Sequence, residues 1–430
     1  MINHEITMMI LGSWTKIILL LTTVIAVLQV IHLVLLNHLD SLRLQKAKVL
    51  RTETEPSVSP EIEARRIFSL LEDTLRNKHL LDSTGTYRIA NVNFGSKQPL
   101  FSAPVPDVAL VTQCSFEHIN KLIRLSKRWQ GPISVAVYVD EEDLAEVLQK
   151  LALLMTCFPS FKENITVSLV SPLPAKNRAS DVPPTIADWK ACDVERFESA
   201  DVGSTNYAII DNYPNNLLRN VARRACNTEF VFVIDVDMLP SENLRQDFLL
   251  FATQRGLLKK NHHLEKTVFV VPAFEAKENV VPPLTKGQLI SLVETGELRA
   301  FYSQLCSKCQ APTKYDSWLN EPAGAEMATL FDVLWRDPWE PFYISRNNVP
   351  LYDERFKQYG FNRISQVCEL YVAGYTFSVL NNAFVVHLGF KTSSSFHEDK
   401  EADQERNRMI FRQFKAELKL KYIESSRRCH

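Results

Sequence analysis

The sequence FVFVIDVD at positions 230–237 constrains the fold more than any other part of the chain. Its five leading apolar residues predict a short buried strand at the centre of a sheet. Asp235 and Asp237 follow at the carboxyl end of that strand, where open α/β sheets bind their ligands. Because side chains alternate along a strand, we expect the two carboxylates on the same side. Two hard oxygen donors there suit Mg²⁺ or Mn²⁺, and such a cation would hold a diphosphate.

Strand and helix patterns alternate along the chain from about residue 105 onward. Short apolar runs predict strands at 108–112, 133–139, 165–170, 230–234, 267–271 and 383–386. Helical periodicity predicts helices at 117–129, 141–154, 216–226 and 364–373. Strands separated by helices of this length imply an α/β domain with a doubly wound, mostly parallel central sheet.

The charge balance of the chain excludes one class of function. The 430 residues include 49 Lys and Arg against 50 Asp and Glu, so the formal net charge is −1. A nearly neutral chain does not bind nucleic acid through bulk electrostatic attraction. With 46% hydrophobic residues, the chain is long enough to form a large globular domain.

The N-terminal region has the composition of a membrane anchor. Residues 17–36 carry no charge and are rich in Leu, Ile and Val, and as a helix they would cross the roughly 30 Å hydrocarbon core. No small-residue cleavage site follows, so we interpret the segment as a transmembrane signal-anchor rather than a signal peptide. It would separate a cytoplasmic tail, 1–16, from a stem, 37–104, whose two amphipathic helices could pair with a second copy of the chain.

The orientation of the anchor rests on two opposed observations. Basic residues are denser after the span than before it, which by the positive-inside rule would place the large domain in the cytosol. All eight cysteines follow the span, however, and so does one N-glycosylation sequon at Asn164, Ile165 and Thr166. We therefore expect a type II protein whose large domain lies in the lumen of the secretory pathway.

Several segments of the chain resemble glycosyltransferase family 49, and the resemblance covers about residues 105–425. The segments are FVFVIDVD, YPNNLLRN at 213–220, WEPFY at 339–343, YDERFKQYGFNR at 352–363 and HLGFK at 387–391. The resemblance implies a GT-A glycosyltransferase fold, with a nucleotide-sugar half at 105–274 and an acceptor half at 275–425. The single catalytic domain is similar to the glucuronyltransferases of the family rather than to its two-domain LARGE-type members.

The resemblance also implies an activity and a location. It implies an inverting, Mn²⁺-dependent transferase (Mg²⁺ being the alternative cation) that moves glucuronic acid from UDP-glucuronate to a xylose-terminated glycan of the O-mannosyl type on a glycoprotein. The implied location is the Golgi membrane. The same fold could use another UDP-sugar or acceptor, and the chain could also be a lumenal glycan-binding protein without activity. The residues alone also leave open a cytosolic phosphotransferase.

The donor side of the predicted site has five candidate residues. Asp235 and Asp237 would bind the metal, and His387, at the end of the last strand, is the third candidate ligand. Arg219, on the helix before the acidic strand, could reach the nucleotide. Lys391 could contact a diphosphate oxygen as a point charge.

The catalytic base is less clear from the sequence. Inversion requires a carboxylate that takes the proton of the acceptor hydroxyl. Asp353 and Glu354 are the favoured candidates, and Glu340 and Glu369 are the others. Related inverting folds place an acidic pair where this chain has Asn362 and Arg363.

Two further groups of residues are left with alternatives. Arg363 or Arg355 could pair with the glucuronate carboxylate, because a guanidinium fork fits that group. Cys306 and Cys309 are predicted to form disulfides, either with each other or with other cysteines, because no second pair completes a zinc site.

Overall fold

The computed structural model describes residues 28, 29, 32, 59–92, 104–173, 212–259, 266–392 and 399–429. The predicted cytoplasmic tail, nearly all of the predicted membrane span and the first predicted stem helix lie outside these residues. Across the described ranges, no helix combines the length and the apolarity that crossing a bilayer requires.

Fourteen strands lie in the described part of the chain. In chain order they are β1 Leu80–Leu81, β2 Tyr87–Val92, β3 Val105–Ser115, β4 Ile133–Tyr138, β5 Ile165–Pro172, β6 Thr228–Val233, β7 Met238–Pro240, β8 Thr267–Val271, β9 Ala273–Ala276, β10 Leu298–Ala300, β11 Thr329–Val333, β12 Phe342–Arg346, β13 Thr376–Leu380 and β14 Val385–Leu388. The helices are α1 Pro60–Asn77, α2 Lys121–Trp129, α3 Leu144–Cys157, α4 Pro159–Asn164, α5 Asn215–Arg224, α6 Leu244–Gln254, α7 Lys286–Glu294, α8 Ser307–Gln310, α9 Tyr315–Asn320, α10 Asn362–Val372 and α11 Lys400–Lys421.

Ten strands form the main sheet, in the order β1-β2-β5-β4-β3-β6-β12-β8-β13-β11. The block β5-β4-β3-β6 is parallel, as predicted. Beyond it, β12 runs antiparallel between β6 and β8, and both edges add further antiparallel pairs. The prediction of a mostly parallel sheet is therefore wrong, because the described pairings are four parallel and five antiparallel.

Both faces of the parallel block are buried, which explains why its strands are continuous apolar runs. On β4, Val135 and Val137 pack into one apolar cluster with Phe230 and Phe232 of β6. Ala136, which lies between them, packs into a second apolar cluster on the other face of the sheet, and α5 covers that face. An α/β domain with helices on both faces of its sheet follows from this alternation.

The region assigned to the stem contributes to the core of the α/β domain. Helix α1 buries Ile67, Leu71 and Leu75 in the same apolar cluster as the parallel strands. Strand β2 pairs antiparallel with β5 along its whole length and so extends the main sheet. The domain therefore begins before residue 105, because the apolar face of α1 is covered by the core and not by solvent or a second stem.

A smaller sheet of four strands, in the order β10-β9-β14-β7, brings distant parts of the chain together. Strand β7 follows the acidic turn directly, and β14 pairs with it antiparallel so that His387 lies opposite Met238. The parallel pairing of β14 with β9 sets His387 opposite Glu275. These ladders place His387 next to Asp237, although 150 residues separate them in the sequence.

Two disulfides lie among the described residues. Cys306 is bonded to Cys309, which confirms one of the predicted alternatives. Cys368 of α10 is bonded to Cys429, which ties the C-terminal segment to the domain.

Candidate active site

A cavity of about 620 Å³ opens beyond the carboxyl end of β6. All five donor-side residues predicted from the sequence line it: Arg219, Asp235, Asp237, His387 and Lys391. Its lining also includes residues from the segments 301–309 and 337–340 and from the segment that leads into α10. The predicted residues therefore meet in one place, at the edge of the sheet where the strand pattern located them.

Asp237 and His387 are in direct contact in the cavity. Nε2 of His387 lies 3.1 Å from Oδ2 of Asp237, and Nδ1 lies 2.7 Å from the carbonyl oxygen of Gly389. Nζ of Lys391 lies 3.7 Å from the same carboxylate oxygen of Asp237. Burial alone would raise the pKa of Asp237, but the positive charges of His387 and Lys391 outweigh it and hold that pKa well below its usual value.

The side chains of this pair fit a divalent cation. Nδ1 of His387 donates a hydrogen bond to the Gly389 carbonyl oxygen, so Nε2 is the nitrogen that faces the Asp237 carboxylate. A bound cation would take the place of the Nε2 proton and be held by the neutral imidazole together with that carboxylate. Neighbouring ligands in an octahedral site with bonds of about 2.1 Å are about 3.0 Å apart, which is close to the separation of these two atoms. A mixed carboxylate and imidazole set suits Mn²⁺.

Asp235 faces a different group of partners. Its Oδ1 accepts a hydrogen bond of 3.1 Å from Nη2 of Arg219, and its Oδ2 lies 3.5 Å from Nη1 of Arg363. In the described ranges, no group of three His, Cys, Asp or Glu side chains is close enough to hold a metal ion. The three predicted ligands are thus brought into one cavity, but only Asp237 and His387 are in contact.

The turn after β6 explains why the two aspartates diverge. The strand ends at Val233, and the amide of Met238 donates a hydrogen bond of 3.0 Å to the Asp235 carbonyl oxygen. Residues 235–238 therefore form a turn, in which the alternation of an extended strand no longer applies. Both carboxylates nevertheless line the same cavity, where they face different partners.

The favoured candidates for the base lie outside the cavity lining. Asp353 accepts hydrogen bonds of 3.0 Å from Nε of Arg355 and 2.9 Å from the Arg355 amide, so its carboxylate belongs to an ion-paired turn. Glu354 accepts a hydrogen bond of 2.8 Å from Asn220. Of the other candidates, Glu369 pairs with Lys421 of α11. None of these three carboxylates lines the cavity, so the structure does not support Asp353 or Glu354 as the base.

Glu340 is the candidate carboxylate that does line the cavity. Only 15% of its side chain is exposed, and its Oε2 lies 4.0 Å from Nε of Arg363. Burial raises the pKa of the Glu340 carboxyl, and the positive charge of Arg363 acts in the opposite direction. A carboxylate of raised pKa that faces a ligand cavity has the properties of a general base.

Sequence reasoning missed several polar residues of the cavity wall, of which Tyr302 and Asn215 are two. Tyr302 lines the cavity, and burial raises its pKa well above the usual value. Asn215, the first residue of α5, also lines it, and its buried Oδ1 has no hydrogen-bond partner among the described residues. Asn215 lies within the segment 213–220 that carries the family resemblance, which was the available signal. Tyr302 lies in an irregular loop that gave none.

Comparisons with known proteins identify the family of the chain. A family described as "Glycosyl-transferase for dystroglycan" matches residues 107–423. The chain is 40% identical over 372 residues to Beta-1,4-glucuronyltransferase 1 of Mus musculus, covering 85% of this chain and 86% of that protein. It is 37% identical over 429 residues to Beta-1,4-glucuronyltransferase 1 of Danio rerio, covering 96% and 98%.

A more distant relative is Xylosyl- and glucuronyltransferase LARGE2s of Danio rerio. It is 30% identical over 287 residues, which cover 66% of this chain and 31% of that longer protein. The region matched by the family, residues 107–423, begins and ends within a few residues of the domain predicted from the sequence. The chain therefore belongs to glycosyltransferase family 49 and is a glycosyltransferase.

Proposed function

We propose that the chain transfers glucuronic acid from UDP-glucuronate to a xylose-terminated glycan of the O-mannosyl type, with inversion at the anomeric carbon. The observation that carries this proposal is the cavity in which Asp237, His387, Lys391 and Arg219 meet, in a chain 40% identical to a named Beta-1,4-glucuronyltransferase 1. The donor and acceptor sugars are inferred from those relatives. We also propose that the domain is a GT-A fold.

The donor side of the cavity is suited to a nucleoside diphosphate. Asp237 and His387 would hold Mn²⁺, with Mg²⁺ as the alternative, and the bound cation would offset the negative charge of the departing diphosphate. Lys391 adds a positive charge beside the same carboxylate. Arg219 is held by Asp235 and by Asn216, whose Oδ1 accepts a hydrogen bond of 2.9 Å from its Nη1, so its guanidinium has a fixed position.

The acceptor side has a base in Glu340. The acceptor hydroxyl oxygen would attack the anomeric carbon from the face opposite UDP, and the bond from that carbon to the diphosphate oxygen would break with its electron pair leaving on UDP. The hydroxyl proton would pass to the Glu340 carboxylate. Burial favours this transfer because it raises the proton affinity of Glu340.

The proposed location is the Golgi membrane, with a type II anchor at residues 17–36 and a lumenal catalytic domain. The two disulfides support an oxidising compartment. The sequon residue Asn164 is exposed at the end of α4 and is therefore accessible to glycosylation. Removal of a glycan by an N-glycosidase should increase the mobility of the wild-type chain but not of Asn164→Gln, and equal mobilities without any shift would contradict the lumenal location.

A donor panel tests the activity. The full-length chain should transfer from UDP-glucuronate to a β-xyloside when Mn²⁺ is present, and a chelator should stop the transfer. A preference for UDP-xylose or UDP-N-acetylglucosamine would contradict the donor assignment. Asp237→Asn should abolish transfer with little change in melting temperature, whereas Asp247→Asn, exposed on α6 and outside the cavity lining, should leave transfer intact. Full activity of Asp237→Asn would contradict the role of that carboxylate.

A further inference from the structure

We propose that Arg363 recognises the carboxylate of the transferred uronic acid and so selects UDP-glucuronate over uncharged UDP-hexoses. This inference rests on the proposed function, because it assigns donor selectivity within the same cavity. The sequence left Arg363 and Arg355 as equal candidates for this contact, and the structure distinguishes between them.

Arg363 lies on the cavity wall in a fixed orientation. It is the second residue of α10 and lines the cavity, with 11% of its side chain exposed. The central carbon of its guanidinium lies 4.0 Å from the centroid of the Phe342 ring. Packing over an aromatic ring restricts the plane of a guanidinium, so the direction of its N–H groups is set before a ligand binds.

The guanidinium of Arg363 has an unused donor. Its Nη1 is buried and has no hydrogen-bond partner among the described residues. The nearest carboxylates are those of Asp235, at 3.5 Å from Nη1, and Glu340, at 4.0 Å from Nε, and neither is a hydrogen bond. A buried donor without a partner costs free energy that a ligand can recover. The ligand group that suits a guanidinium fork is a carboxylate or a phosphate.

The guanidinium groups of the other two arginines considered for ligand contacts already donate hydrogen bonds to protein groups. Arg219 bonds to Asn216, Asn362 and Asp235 through its two terminal nitrogens. Arg355 bonds to the carboxylates of Asp353 and Glu417 and does not line the cavity. Arg363 is therefore the one of these three that combines a place in the cavity with a free donor.

The position of Arg363 also fits a donor sugar rather than the diphosphate. It lies between Asp235, in the turn that carries Asp237, and Glu340, the proposed base. A sugar whose anomeric carbon is attacked from the side of Glu340 while its diphosphate faces Asp237 and His387 would lie beside Arg363. UDP-glucose differs from UDP-glucuronate by an uncharged CH₂OH in place of the carboxylate, so contact with that group discriminates between them.

Donor selectivity of the full-length chain tests the inference. We compare kcat/KM for UDP-glucuronate and for UDP-glucose, on one β-xyloside acceptor, in wild type, Arg363→Gln, Arg363→Lys and the control Arg355→Gln. Losing a charge-assisted contact should lower kcat/KM for UDP-glucuronate in Arg363→Gln by about 10- to 100-fold. UDP-glucose should change by less than about fivefold in the same variant. Arg363→Lys should give an intermediate loss, because it keeps the charge and loses the fork. Arg355→Gln should keep the wild-type ratio.

Equal losses for both donors in Arg363→Gln would overturn the inference, because they would show that Arg363 only supports Asp235 or Glu340. An increase confined to the KM of the acceptor would overturn it as well. Equilibrium binding gives a second readout that needs no turnover: the ratio of affinities for UDP-glucuronate and UDP-glucose should fall in both Arg363 variants, and an unchanged ratio would refute the contact. A wild-type chain that transfers another sugar instead would refute the proposed function itself. The wild-type measurements reveal that outcome independently of the Arg363 variants.

Discussion

Replacing Leu71 with alanine tests whether α1 belongs to the catalytic domain. Leu71 is fully buried and packs in the main apolar cluster, while its neighbour Leu70 is 44% exposed on the same helix. The two positions therefore allow the same substitution in two environments. Leu71→Ala removes buried carbon atoms and leaves a cavity, whereas Leu70→Ala removes atoms that mostly contact water.

The expected magnitudes follow from burial. A fully buried leucine replaced by alanine costs about 3–4 kcal/mol of the free energy of unfolding, and an exposed one costs less than about 0.5 kcal/mol. The entropy of unfolding is about 2.1 cal/mol/K per residue, so a unit of roughly 370 residues, Glu63–His430, has about 0.8 kcal/mol/K. Leu71→Ala should therefore lower the melting temperature by about 4–5 °C, and Leu70→Ala by less than about 1 °C.

The assay is thermal unfolding of the full-length chain, followed by circular dichroism and, in parallel, by the loss of transferase activity. Both signals should shift together in Leu71→Ala, because α1 packs against the strands that carry the site. Equal shifts in the two variants, or no shift in Leu71→Ala, would refute the assignment of α1 to the domain core. It would then be a stem helix, as the sequence alone suggested.

Two further predictions concern the base. Glu340→Gln should lower kcat by about 10²- to 10⁴-fold with an unchanged melting temperature. The matched variant Glu354→Gln should keep kcat within about threefold of the wild type. A large loss of kcat in Glu354→Gln with little loss in Glu340→Gln would identify Glu354 as the base instead. The kcat of the wild type should fall as the pH is lowered through the pKa of Glu340, because only the ionised carboxylate accepts a proton. The charge of Arg363 lowers that pKa, so Arg363→Gln should raise it. On acidification, the residual kcat of Arg363→Gln should therefore begin to fall at a higher pH than the kcat of the wild type. A fall at a lower pH than in the wild type would contradict the pairing of Arg363 with Glu340.

The strands of the parallel block were predictable because burial on both faces gives a local signal. The predicted strand at 165–170 lies within β5, Ile165–Pro172, and the one at 133–139 exceeds β4 by a single residue. The antiparallel insertion of β12 was not predictable in the same way. Its sequence shows that a strand could form, but strand order and direction depend on partners more than 70 residues away, Phe269 and Phe232.

The packing of α1 was not predictable from the sequence for a related reason. An amphipathic pattern shows that one face of a helix is buried, but it does not show what covers that face. In α1 the covering surface comes from α4 and the parallel strands, which follow it in the chain by many residues; Lys162, for example, donates a hydrogen bond of 2.7 Å to Glu63. Strand β2 was missed because Arg88 and Asn91 interrupt its apolar residues, so no continuous apolar run marks it.

The active site shows the same division between local and long-range information. The two aspartates were found because an apolar strand that ends in carboxylates is a local pattern, but their separate roles depend on a turn that redirects Asp235 toward two arginines. The base could not be chosen because the sequence neighbours of the four candidate carboxylates do not show which groups each carboxylate contacts in the fold. What separates them is the partner of each: Asp353, Glu354 and Glu369 meet groups that neutralise them away from the cavity, whereas Glu340 faces it. Residue identity alone therefore locates a site of this kind, and only the pairing of its charges assigns the chemistry.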